Sequence, residues 1–142
     1  MRPILFSFLL VVGSNLLYHV SQKSIPGGAH PLLSLTVTYV VALAVTLLLW
    51  PFYPGGAPGR GSFARLNWAS AAVGLAIVGI ELGFLLAYRS GWRVSVGATA
   101  VNVTVAALLV PTGLLLFGEK LSATNVAGLV LCAAGLVLLI QR

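Results

Sequence analysis

Five runs of apolar residues, each 18 to 24 residues long, alternate with short connections along this chain. A helix crosses the roughly 30 Å hydrocarbon core of a bilayer with about 17–25 residues, and inside lipid the backbone must satisfy its own hydrogen bonds. The sequence therefore predicts an all-α membrane protein with five transmembrane helices in a single domain, residues 1–142. The predicted spans are 3–20, 32–50, 68–88, 94–117 and 123–140.

The composition excludes a soluble fold. Only 7% of the residues are charged and 59% are hydrophobic, whereas an ordinary soluble domain is about 25% charged. The net charge of +6 comes from Lys and Arg residues scattered over loops and termini, which form no patch for nucleic acid. We expect a multi-pass protein of the plasma (inner) membrane, surrounded by the lipid bilayer, with no nucleic-acid partner.

The sequence carries no catalytic or cofactor motif. It has no Ser/His/Asp set, no glycine-rich phosphate loop and no metal-binding spacing of His and Cys. One Cys and two His are present in the whole chain. We therefore expect no enzyme activity, no cofactor and no metal site.

Lysine and arginine are divided evenly between the two sides of the predicted membrane domain. With five spans, the side of the N-terminus holds four of these residues and the opposite side holds four. An excess of them normally fixes which loops stay in the cytoplasm. Two interpretations stay open: the balance arises by chance, or copies insert in both orientations and pair as an antiparallel homodimer. The two groups are Arg2, Arg60, Arg65 and Lys120, against Lys23, Arg89, Arg93 and Arg142.

Three polar side chains that are costly to bury lie near the middle of their spans. Glu81 lies three residues past the middle of the third span, about 5 Å from the midplane at about 1.5 Å per residue. Asn15 and Asn102 are displaced by a similar amount in the first and fourth spans. Because successive spans run in opposite directions, all three are displaced towards the same membrane face. We predict one substrate-binding and proton-binding site; the alternative for both asparagines is helix packing.

His19 and Tyr88 are expected near the mouth of this site. His19 follows Asn15 by one helical turn, and Tyr88 shares a helix face with Glu81. For His19 the alternative is a structural position near a helix end. Because desolvation favours the neutral form of a carboxylic acid, Glu81 is able to exchange a proton for a cation. That exchange is the minimum chemistry of proton-coupled transport.

Gly128, Cys132 and Gly135 share one face of the fifth span through their i, i+4, i+7 spacing. Small residues on one face let two helix backbones approach closely in lipid. We predict that this face forms the dimer interface. The alternative is that it packs against the chain's own helices.

Two segments resemble the EamA-type domain of the drug/metabolite transporter superfamily. The segment 118-GEKLSATNVAGLVLCAAGLVLL-139 resembles the family's last loop and glycine-rich last helix, and 12-VGSNLLYHVSQKSI-25 resembles its opening helix. The resemblance extends over the chain as one five-helix repeat, whereas most members carry two oppositely oriented repeats. It implies a single inverted-repeat unit of the drug/metabolite transporter fold, most similar to the short, self-associating members.

Those short members include the small multidrug resistance proteins, in which a membrane-embedded glutamate couples protons to the export of cations. Their glutamate lies on the first helix, where this chain has Asn15; here Glu81 lies on the third helix. The resemblance implies a small membrane transporter or exporter of a small molecule, proton-coupled through Glu81 and acting as an antiparallel homodimer. Two alternatives stay open: a subunit of a lipid-linked sugar flippase, and a non-transporting accessory subunit of a larger membrane protein.

Overall fold

All regular secondary structure in the described residues is helical. The computed structural model describes residues 2–54, 58–59, 61–118 and 122–140. Two short 3-10 helices, Trp50–Phe52 and Phe63–Arg65, lie in the connection between the second and third α-helices. The α-helices are α1 (Arg2–Ser24), α2 (Pro31–Leu49), α3 (Trp68–Arg89), α4 (Val94–Leu116) and α5 (Ala123–Ile140).

Four of these helices provide segments that are long and apolar enough to cross a membrane. The segments are Ile4–Ser24, Pro31–Phe52, Trp68–Arg89 and Val94–Leu116. α5 is also apolar, but its qualifying segment, Ala123–Leu138, is shorter. The all-helical prediction is thus confirmed for the described residues, and the helices indicate a multi-pass membrane protein. The fifth crossing stays a prediction.

The even division of positive charge also stays a prediction. Arg60, Lys120 and Arg142 enter that balance and lie outside the described residues.

Proline and glycine mark the helix ends. α1 continues to Ser24, one turn beyond its predicted end, and Pro26 follows two residues later. Pro31 occupies the first turn of α2, where a missing N–H costs no hydrogen bond. Gly91 and Gly118 follow α3 and α4 with φ of 98° and 62°. This left-handed region is open to glycine without strain, which is why glycine commonly ends a helix.

α4 contains a proline in its interior. Pro111 has no N–H, so the carbonyl of Ala107, four residues earlier, receives no hydrogen bond from it. The helix nevertheless continues to Leu116, and the N–H of Phe117 donates to the carbonyl of Gly113 at 3.2 Å. Membrane helices tolerate such prolines because the freed backbone groups find other partners.

The chain folds as two compact units. The first comprises Met1–Val20 and Ser90–Arg142, and within it α4 packs against α5. The second is Ser21–Arg89, which holds the last turn of α1 together with α2 and α3; within it α2 packs against α3. The buried apolar side chains of the described part all belong to the second unit and are Leu35, Phe84, Leu85 and Tyr88.

Large apolar side chains on all five helices are exposed at the surface of the single chain. A soluble monomer rarely exposes continuous apolar surface on this scale. The distribution is the one expected of helices whose outer faces contact lipid or another chain.

Candidate functional site

The buried face of α3 begins at Glu81. The buried residues of this helix are Glu81, Phe84, Leu85 and Tyr88, which follow the i, i+3, i+4, i+7 spacing of one helix face. The rings of Phe84 and Tyr88 stack with their centroids 5.7 Å apart. Glu81 and Tyr88, both predicted site residues, therefore lie on the same buried face, two turns apart.

One oxygen of the Glu81 carboxyl group is buried without a hydrogen-bond partner in the described part of the chain. The side chain is 8% exposed, and its Oε2 is buried with no hydrogen-bond partner among the described residues. An ionised side chain in the middle of a membrane helix costs about 3 kcal/mol by insertion scales. A proton on the carboxyl group, or a bound cation beside it, removes that cost.

Tyr39 supplies a second polar group near Glu81. It lies on α2 in the same unit, within electrostatic range of Glu81. Its hydroxyl is buried, again with no hydrogen-bond partner among the residues described. A tyrosine hydroxyl both donates and accepts, whereas a carboxylate only accepts. Together the two groups are able to hold a proton or a cation.

Gln22 connects the last turn of α1 to the backbone of α3 at Glu81. Its side chain is 6% exposed, and Nε2 donates to the main-chain carbonyl of Glu81 at 3.4 Å. A buried amide must be hydrogen-bonded to offset its desolvation. Gln22 therefore limits the movement of the helix segment that carries the carboxyl group.

An apolar cavity of about 260 Å³ lies between α2 and α3, beside Tyr39. Its lining residues are Tyr39, Gly74, Ile77 and Val78. Val78 and Gly74 precede Glu81 by one and two helical turns, and a methyl group added at Gly74 would meet no atom of the described residues within 4 Å. The cavity is able to hold an apolar group beside Tyr39, whose hydroxyl is buried.

The other predicted site residues belong to the first unit. Asn15 and Asn102 are exposed on α1 and α4. His19 is buried, at 6% exposed, and its ring contacts that of Tyr18 edge-on with centroids 5.0 Å apart. A single site that joins Glu81 to both asparagines stays a prediction.

Two threonine hydroxyls of α4 form hydrogen bonds within their own helix. The hydroxyl of Thr99 donates to the carbonyl of Ser95 at 2.7 Å, one turn earlier in the same helix. Thr104 does the same with Ala100 at 2.8 Å. These two hydroxyls therefore need no partner outside α4.

The predicted dimer face on α5 leaves space beside its small residues among the residues that the structure describes. Cys132 is an exposed free thiol. A methyl group added at Gly128 or Gly135 would meet no atom of the described residues within 4 Å. The face is therefore open to a neighbouring helix or to lipid.

Tyr39 and Gln22 are not among the site residues that the sequence predicts. One signal for Tyr39 is present in the sequence: it lies near the middle of its span, whereas the other tyrosines and the tryptophans lie near span ends. Gln22 carries no comparable signal, because the predicted span ends at residue 20 and places it in a loop.

The comparisons with known proteins identify no relative: no family model, no curated protein and no solved structure matches this chain. Among the described residues, no group of three or more His, Cys, Asp or Glu side chains is placed to hold a metal ion.

Proposed function

We propose that this chain is a small membrane transporter that couples the movement of a small molecule to protons through Glu81, as an antiparallel homodimer. The observation that carries the proposal is the buried Oε2 of Glu81, which has no partner among the described residues and lies within electrostatic range of Tyr39. An ionisable group inside a membrane helix is costly to keep and is a functional candidate for that reason.

The coupling follows from competition for one carboxyl group. Glu81 is neutral with a proton bound and negative without it, and a cation is attracted only to the negative form. Release of the substrate on one side of the membrane would then require a proton from that side. The apolar cavity beside Tyr39 supports a substrate with an apolar portion.

Four arguments support the dimer. Large apolar side chains cover the outside of the helices, and the face formed by Gly128, Cys132 and Gly135 is open. The even division of Lys and Arg in the sequence fits insertion in both orientations. Transporters commonly place their site between two oppositely oriented repeats, and a second copy of this chain supplies the missing repeat.

The proposal is tested with purified protein in liposomes. Flux of a panel of cationic, neutral and anionic small molecules is measured with a pH gradient and after an ionophore has collapsed it. We expect gradient-driven flux of at least one compound with the native chain, and none with Glu81→Gln, which keeps the shape of the side chain but cannot ionise.

Glu81→Asp is the matched control, because it retains a titratable carboxyl group and should keep part of the flux. Size-exclusion chromatography checks that both variants insert and associate normally. Undiminished gradient-driven flux in Glu81→Gln would contradict the coupling role, and absence of flux for every compound with the native chain would contradict transport.

A further inference from the structure

A second cavity, of about 150 Å³, lies where α1 and α3 end. It is separate from the cavity beside Tyr39 and lies entirely within the second unit. Its lining contains two cationic side chains and no carboxylate. The lining residues are Gln22, Lys23, Ile25, Gly27, Tyr88 and Arg89.

Main-chain carbonyl groups hold both cationic groups in place. Nη2 of Arg89 donates to the carbonyl of Ala29 at 2.7 Å and to that of Pro26 at 3.3 Å. Nζ of Lys23 donates to the carbonyl of Tyr88 at 3.1 Å and lies 5.8 Å from the centre of its ring. Carbonyl oxygens orient these groups, and a carbonyl oxygen carries no full negative charge.

The Nε–H group of Arg89 is not used by any residue that the structure describes. Its Nε is buried and has no hydrogen-bond partner among the described residues. A buried donor without an acceptor is costly, and for a charged group the cost is larger than for a neutral one. Guanidinium groups bind carboxylate and phosphate oxygens through pairs of N–H groups. An anion in the cavity would supply both the acceptor and the countercharge.

The position of the cavity narrows the class of anion. It lies at the C-terminal ends of the membrane segments Ile4–Ser24 and Trp68–Arg89, which is the level of the lipid headgroups. Basic pockets between membrane helices at that level bind anionic headgroups. Two cations also match a phosphate group, which carries between one and two negative charges, better than they match a single carboxylate.

We propose that this cavity binds a phosphate group, carried by an anionic phospholipid or by a soluble phosphate. The proposal is independent of transport and of Glu81. The binding groups are the unsatisfied Nε–H of Arg89 and the ammonium group of Lys23, which lines the same cavity. The absence of a side chain at Gly27 leaves space for the ligand. The ligand would join the ends of α1 and α3 through the two side chains.

Two measurements on the purified full-length chain test the site and separate the two sources. The first is the midpoint of thermal unfolding in a neutral detergent, with inorganic phosphate added against sodium chloride of equal ionic strength. The second is lipid retention by native mass spectrometry from nanodiscs of equal phosphatidylglycerol and phosphatidylcholine. We expect a rise in the midpoint with phosphate, preferential retention of phosphatidylglycerol, or both.

The variants distinguish the cavity from general positive charge. Arg89→Gln should weaken binding about tenfold, the effect expected when one charge-assisted hydrogen bond is lost. Arg89 also donates hydrogen bonds to the carbonyls of Pro26 and Ala29, so its substitution could destabilise the fold. A second variant therefore tests the site without removing these bonds. Gly27→Val fills the cavity and leaves both cations in place, and a side chain there has open space. It should fold normally and also lose binding.

Arg65→Gln is the matched control, since it removes an exposed positive charge that lies outside the cavity lining. Phosphate binding without preference for phosphatidylglycerol would assign the site to a soluble phosphate, and the reverse pattern would assign it to lipid. No response to either probe, or equal losses in Arg65→Gln and Gly27→Val, would overturn the proposal.

Discussion

The ammonium group of Lys23 donates a hydrogen bond to the main-chain carbonyl of Tyr88 at 3.1 Å and lies 5.8 Å from the centre of the same residue's ring. The contact joins the last turn of α1 to the last turn of α3, although 65 residues separate the two in sequence. The cation thus meets the carbonyl end of a helix dipole, where positive charge is stabilising.

This contact predicts a loss of stability in Lys23→Met. Methionine keeps most of the apolar stem of lysine and removes the charge, so the change should lower the free energy of unfolding by about 1 kcal/mol, the typical value of one hydrogen bond. The measurement is thermal or chemical unfolding in detergent. Arg65→Met is the control and should change stability little, because Arg65 is exposed. Equal stability of the native chain and Lys23→Met would show that the contact contributes nothing.

The hydroxyl of Tyr39 should matter for transport more than for folding. It has no hydrogen-bond partner among the described residues, so Tyr39→Phe should change the free energy of unfolding by less than about 1 kcal/mol. We expect the same change to shift the pH dependence of flux, because Tyr39 interacts electrostatically with Glu81. Flux is measured over a range of pH in liposomes. A large loss of stability with an unchanged pH profile would assign Tyr39 a structural role.

The even division of Lys and Arg predicts insertion in both orientations. A cysteine added after Arg142, in a Cys132→Ala background, should be labelled by a membrane-impermeant reagent both from outside intact cells and from inside. Adding three lysines within residues 51–67 should retain that loop in the cytoplasm and place the C-terminus outside. If the cysteine of the protein without added lysines is labelled from one side of the membrane only, dual topology is rejected.

The direction of the dimer can be read from crosslinks on α5. Asn125 and Leu139 each lie seven residues from Cys132, on nearly the same helix face. In an antiparallel pair that crosses at Cys132, position 125 of one copy meets position 139 of the other. Two copies of position 125 are then separated along the axis by about 21 Å, at about 1.5 Å per residue.

In a Cys132→Ala background, Asn125→Cys and Leu139→Cys chains expressed together should therefore form the mixed disulfide, and neither should form one with itself. Crosslinking is measured on non-reducing gels of oxidised membranes, with each single variant as its own control. Efficient disulfide formation between two copies of Asn125→Cys would establish a parallel dimer and contradict the inverted-repeat mechanism.

The helices could be predicted from the sequence because hydropathy and length determine them in lipid. α3 is predicted over residues 68–88 and observed as Trp68–Arg89. The predicted end of α1, residue 20, is one turn too early for a physical reason. Polar residues 21–24 end the apolar run, yet Gln22 and Lys23 donate to carbonyl acceptors on α3. Hydropathy along one helix does not contain information about acceptors on another.

The candidate site was predictable only in part. Glu81 could be identified because a carboxylate in a span is rare and costly wherever the helix packs. Whether Tyr39 lies near Glu81 depends on how α2 aligns with α3. Hydrophobic periodicity predicts which face of a helix is buried, but it does not predict the register of that helix against its neighbour. Whether the Nε of Arg89 has an acceptor depends on the path of the loop after α1. That loop contains Pro26 and two glycines, and no sequence pattern determines its path.

The proline within α4 has a mechanical consequence. In an intact helix, each turn resists bending through hydrogen bonds along the whole circumference. At Pro111 one of these bonds is missing, and the carbonyl of Ala107 loses its usual donor. Bending the helix at this turn therefore breaks one bond fewer than bending it elsewhere, so α4 is most compliant between residues 107 and 111.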